Sequence, residues 1–323
     1  MSGTREQILA TLAWANAFGM ALSSFEVWKW LVAYPRTRNS GAVKMSLSEV
    51  VEKLDVLVAE DRVGTQWGFY FLTDREALVE QRAWRLKITN EKWKKLVSIV
   101  RWMRLVPFLR AVFASGSLAI NNTKEESDLD VFLVTAPGRI FTARLFLIAV
   151  LKILGKYRGG AHVANYICPN HYVTETSLEI PFRSLYTAHL YSTFVRVWSK
   201  DSGALDKFWN ANSWIGEYLE LSAGMLGIHN APRRTLKDPI LVKTIRGAVE
   251  TILHTPLGDV LERIARKVQL AHIEANPLTK NPGQGHVVVN DQMLAFHPNS
   301  PEQGMLDKYK KSMLSLGLSE QEF

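Results

Sequence analysis

The stretch FASGSLAINNTKEESDLDVFLVT, Phe113 to Thr135, constrains this chain more than any other. It joins two apolar runs of strand character; the first ends in Gly116-Ser117 and the second carries Asp128 and Asp130. Side chains alternate along a strand, so Asp128 and Asp130 are predicted to share one face while Leu129 and Val131 share the other. Two carboxylates one strand-step apart repel each other. They are tolerable if exposed, or if a divalent cation lies between them. Hard oxygen ligands of this kind suit Mg²⁺ or Mn²⁺, which bind through one or two carboxylates together with substrate phosphates. Gly116 lets a backbone approach a phosphate closely, and Ser117 offers a hydroxyl and an amide at the start of a short helix. The two runs read as halves of one site, one for a triphosphate tail and one for its metal.

A chain of 323 residues has room for two or three domains. Hydrophobic residues at 47% and charged residues at 22% describe an ordinary globular composition rather than a disordered one. The net charge of +8 and pI near 9.5 favour polyanionic partners. Cys168 is the only cysteine, which rules out a disulfide framework or a cysteine zinc cluster and fits a reducing cytoplasm. The opening residues lack the basic-then-apolar order of a signal peptide. The most apolar helix candidate, Arg139 to Arg158, is interrupted by Arg144 and Lys152 and falls short of the ~20 residues that span a bilayer, so no transmembrane segment is expected.

Three Ser/Thr-x-x-Glu signatures mark helix starts: Ser23 with Glu26, Ser46 with Glu49, and Thr73 with Glu76. Between the second and third, RVGTQWGFYFLT has the look of a strand pair with glycine turns. Helices followed by a hairpin resemble a winged helix over residues 1–85. The basic loop YPRTRNSGAVK suits phosphate contact, so this unit is expected either to touch DNA or to dock a protein. From Arg82 to Arg110 the chain is rich in Lys and Arg beside Trp84, Trp93 and Trp102. The pattern predicts a helix with its aromatics inward and its charges solvated, in preference to the alternative of a basic, tryptophan-bearing surface that stacks bases. Residues 201–323 read as mostly helical. An amphipathic stretch there breaks at Pro256, and a small hairpin turns at Asn290-Asp291.

The pattern of strand, Gly116-Ser117, about a dozen residues, then Asp128-x-Asp130 resembles the nucleotidyltransferase superfamily that includes DNA polymerase β. The similarity covers about residues 105 to 185, inside an expected domain of residues 86–200 led by the basic helix. The whole resembles uncharacterised bacterial nucleotidyltransferase-domain proteins. The expected fold class is α+β: a winged helix, a small mixed sheet flanked by helices, and a helical C-terminal region. The resemblance implies that Asp128 and Asp130 hold Mg²⁺ or Mn²⁺ on a nucleoside triphosphate. It also implies transfer of the monophosphate to a hydroxyl on RNA, protein or a small molecule, with release of pyrophosphate. Lys124 and Arg144 are candidate phosphate contacts.

One part of the family pattern is missing. A third acid is expected on the next strand, His162 to Val173, which contains neither Asp nor Glu. Glu179 is the preferred substitute, with Glu175 or an asparagine of that strand as alternatives. A domain that binds nucleotide and turns over poorly, acting as a sensor or a DNA-binding regulator, is the competing expectation.

Overall fold

Strand alternation sets the layers. The computed structural model describes residues 3–34, 45–158, 163–220, 234–281, 283 and 285–319. Its central sheet contains β4 (Leu109–Ala114), β5 (Leu129–Thr135), β6 (Ile167–Thr174), β7 (Val195–Ser199), β8 (His286–Val289) and β9 (Met293–His297) in the order β7-β4-β5-β6-β9-β8. β5 and β6 run parallel and are connected through α6 (Ile140–Ile153); the other neighbours are antiparallel, so the sheet is mixed. Phe113 of β4 and Phe132 and Val134 of β5 enter one core with α1 (Gly3–Ala17), α7 (Leu185–Ser192), α8 (Ala204–Ala211) and α12 (Glu302–Ser315). Their neighbours Val112, Ala114, Val131 and Leu133 enter the opposite core with α4 (Ala77–Met103), α6 and α10 (Pro256–Ala275). Asp130 lies in phase with Phe132 and Val134, so it faces the side covered by α1, α7 and α12.

The N-terminal unit has the expected run of helices and then a hairpin. It contains α1, β1 (Leu22–Ser23), α2 (Ser24–Lys29), α3 (Leu47–Ala59), β2 (Val63–Gln66) and β3 (Phe69–Leu72), with a small sheet in the order β1-β3-β2. Both central residues of the β2–β3 turn, Trp67 and Gly68, have positive φ (53° and 77°), as a tight hairpin turn requires. Ser23–Glu26 and Ser46–Glu49 form reciprocal caps on α2 and α3. The third signature forms no cap. Thr73 donates to the carbonyls of Asp61 and Arg62, closing the hairpin, and α4 begins at Ala77 without a side-chain cap. Most of the basic loop, residues 35–44, lies outside the described residues.

The basic helix differs from expectation. Trp93 is buried, but Trp84 and Trp102 are more than half exposed, whereas Arg82, Arg85 and Lys92 are buried. These cations face inward because a loop of backbone carbonyls waits for them there.

The described residues of 201–323 are mostly helical, with α9 (Ile240–Leu253), the break at Pro256, α10, the short α11 (Pro277–Lys280) and the β8–β9 hairpin. Asn290 shapes the hairpin turn by accepting from the amides of Gln292 and Met293. The amphipathic pattern is inverted on α9. Its inner face carries Arg246, paired with Asp238 at 2.8 Å, and Glu250, paired with Arg110 at 2.7 Å. Leu241, Ile245 and Ile252 point outward, as do Leu257, Val260, Ile264 and Val268 on α10. Among the described residues, no helix is long and apolar enough to cross a membrane.

Candidate functional site

β4 runs into Ser115, whose amide donates to the Asp130 carbonyl at 3.1 Å, and then bends sharply into the single-turn α5 (Gly116–Ala119). Gly116 makes the bend possible for two separate reasons. Its φ of +61° is left-handed, and a Cβ there would meet Asp130 Oδ2 at 2.8 Å. The glycine-serine turn and the Asp-x-Asp strand are therefore in contact, as the sequence predicts.

The loop between them, residues 120–127, is held from α4 by side chains three and four positions apart, which place them on one helical face. Arg82 donates to the carbonyls of Ile120 (3.1 Å) and Asn121 (3.0 Å), and Arg85 to Asn122 Oδ1 (2.7 Å). The Thr89 and Thr123 hydroxyls meet at 2.6 Å, and Lys92 Nζ donates to the carbonyls of Glu125 (2.9 Å) and Ser127 (2.5 Å). Arg82 is neutralised by Glu26, the same carboxylate that caps α2. A helix start in the N-terminal unit and the loop before the acid pair thus share one network. None of these buried cations carries a motif; only the spacing 82, 85, 89, 92 hints at it in the sequence.

Asp128, Asp130 and Cys168 bring one ligand atom each to within 4.8 Å of one another. Cys168 stands directly across the parallel ladder from Asp130. It occupies the strand where the third carboxylate is expected. Burial, then the charge of Asp128, raises the Asp130 carboxyl to about 7. Burial and the Asp130 charge raise the Cys168 thiol to about 12, so it is neutral at ordinary pH. Arg158, exposed at the mouth, donates to Asp128 Oδ2 at 2.5 Å and to Cys168 Sγ at 3.1 Å. The donor set suits a hard divalent ion through its two carboxylates, and the contact of Gly116 with Asp130 leaves the acid's approach open to a ligand.

Glu179 does not join this group. It is exposed and paired with Arg183 at 2.8 Å. Glu175 lies beyond the far end of β5: its amide bonds the Thr135 carbonyl, roughly 16 Å along the strand from Asp130 at ~3.3 Å per residue, and its carboxylate faces Arg110. Asn165 bonds Lys95 and Ser127, and Asn170 lies by His297. Arg144 is turned away into α10, donating to Gln269 at 2.6 Å.

Asp130, though not Asp128, lines a cavity of about 920 Å³. Gly116, Ser117, Lys124 and Asp130 line one wall, and Arg75, Lys308 and Lys311 reach it from the start of α4 and from α12. Arg75, Lys124, Lys308 and Lys311 have no carboxylate partner among the described residues. On this wall one carboxylate, Asp130, stands among cations, an arrangement that can attract a polyanion. Sequence reasoning missed Arg75, Lys308 and Lys311, because they lie far from the motif and are assembled by the packing of α12 on α1. No protein-family model matches this chain, and no curated protein or solved structure matches it.

Proposed function

We propose that this protein is a metal-dependent nucleotidyltransferase that moves a nucleoside monophosphate from a nucleoside triphosphate to a hydroxyl acceptor. The observation that carries the proposal is the contact between the Gly116 turn and the Asp130 carboxylate at the floor of a basic cavity. In this reading Asp128 and Asp130 hold Mg²⁺ or Mn²⁺. When bound, the ion neutralises phosphate charge and lowers the pKa of the attacking hydroxyl. The Gly116–Ser117 turn lies against the phosphates, and Lys124, Arg75, Lys308 and Lys311 offset the remaining negative charge. The acceptor oxygen forms a bond to the α-phosphorus as the bond to the β-phosphate bridging oxygen breaks. Pyrophosphate leaves, and the hydroxyl proton passes to solvent. Positioning and charge neutralisation supply most of the rate.

The test is pyrophosphate release from each of the four triphosphates with Mg²⁺ or Mn²⁺ across a panel of hydroxyl acceptors. Release from at least one, abolished by Asp128→Asn with Asp130→Asn, is expected. The neutral thiol of Cys168 across from Asp130 favours a second reading, a nucleotide sensor with little turnover. Metal-dependent triphosphate binding without release from any nucleotide would select it.

A further inference from the structure

The same cavity has a second wall that the phosphate chemistry does not use. Phe18, just past α1, and Tyr186, on α7, both line it; their ring centroids lie 6.4 Å apart and their planes are within 10° of parallel. On Phe18 the imidazole of His189 follows at 5.1 Å, tilted by 33°. His189 is only 4% exposed, it lines the same cavity, and neither of its ring nitrogens has a protein partner. Burial, and secondarily the charge of Lys29, lowers it to about 3, so the ring is neutral and offers one donor and one acceptor. A buried ring with two unmade hydrogen bonds is costly, and a ligand with matching polar atoms on its edge removes that cost. Asp130 and Tyr186 line the same cavity, which places this wall beside that acid.

We propose that Phe18, Tyr186 and His189 form the site for a nucleobase, its face stacked on the aromatic rings and its edge hydrogen-bonded to His189. The proposal rests on the transferase reading for the phosphate end alone. An aromatic platform next to a basic groove is the combination that holds bases of any sequence, and a buried donor-acceptor pair is what distinguishes one base from another. Phe18 follows α1, so the N-terminal unit becomes part of the nucleotide site. The cavity's 920 Å³ leaves room for an acceptor beside the nucleotide.

The experiment is calorimetric titration of the full chain, in Mn²⁺, with each of the four nucleoside triphosphates and with inorganic tripolyphosphate. At least one nucleotide is expected to bind about tenfold more tightly than tripolyphosphate. Phe18→Leu and Tyr186→Leu remove most of that margin and leave tripolyphosphate affinity unchanged, whereas Phe18→Tyr retains it. His189→Phe keeps an aromatic ring and deletes both nitrogens; it retains the margin over tripolyphosphate and levels the four nucleotides. Equal affinity for tripolyphosphate and every nucleotide overturns the base site, and so does a parallel loss of both probes in the leucine variants. If tripolyphosphate fails to bind while free nucleosides bind without metal in a Phe18-dependent way, the base site stands and the transferase reading falls. If neither nucleosides nor nucleotides bind, the base site falls as well.

Discussion

Replacing Gly116 by alanine tests whether the turn and the acid pair act as one unit. Two costs are expected. Holding a non-glycine residue at φ +61° costs about 1–2 kcal/mol. The new Cβ, 2.8 Å from Asp130 Oδ2, lies well inside van der Waals contact, so the carboxylate must retreat by roughly half an ångström or more. Urea unfolding without metal reads the first cost as a stability loss of about 1–2 kcal/mol. Mn²⁺ titration reads the second as a fall in affinity of about tenfold or more, because metal ligands tolerate displacements of only ~0.2 Å. Gly116→Asn separates the two, since asparagine accepts the left-handed conformation but brings the same Cβ. It should recover much of the stability and none of the metal affinity. Wild-type Mn²⁺ affinity in either variant would refute the idea that the turn is pressed against a working ligand.

Three further outcomes follow from other parts of the structure. Lys92→Met leaves the carbonyls of Glu125 and Ser127 without their buried donor. It should cost on the order of 2 kcal/mol and speed amide exchange at Asn165, whose amide bonds Ser127; unchanged exchange there would show that the clamp holds nothing. Cys168→Asp puts a third carboxylate across from Asp130, so without metal it should destabilise, and with Mn²⁺ it should stabilise and raise pyrophosphate release; destabilisation in both conditions would exclude that position as a ligand. Acid should unfold the protein early. Burial, then the neighbouring His297, lowers His171, and burial lowers His189 to about 3, so the unfolded chain binds their protons as pH falls below ~6.5 while the folded chain does not. Asp130, raised to about 7, acts in the opposite sense, holding its proton in the folded state until pH approaches 7. His297, lowered to about 4 chiefly by burial, adds to the histidine side. Stability should therefore rise by ~1.4–2.8 kcal/mol per pH unit near pH 5, and His189→Phe should reduce the slope by ~1.4. A slope that does not change in that variant would mean that His189 titrates normally.

The nearness of Asp128 to Asp130, the glycine turn beside them and the facing of Asp130 were legible in the chain because they depend on local rules: the two-residue period of a strand and the left-handed freedom of glycine. Two of the three helix starts were legible for the same reason, since Ser23 and Ser46 satisfy amides within their own first turn. Thr73 carries the same signature, yet its hydroxyl found nonlocal carbonyls across the hairpin. What lies opposite Asp130 is set by the register between two parallel strands 38 positions apart, Asp130 and Cys168, and nothing local specifies that pairing. Glu179 looked suitable in sequence and instead pairs with Arg183, four residues along. The inward cations of α4, the cationic rim from α12 and the stack of Phe18, Tyr186 and His189 likewise join segments distant in the chain. By itself the sequence determined that two carboxylates would stand together beside a glycine turn and which face of the strand Asp130 would take. Only the packing of α1, α7 and α12 over one side of the sheet decided what those residues look out upon, because burial and long-range charge are properties of neighbours that the chain brings together when it folds.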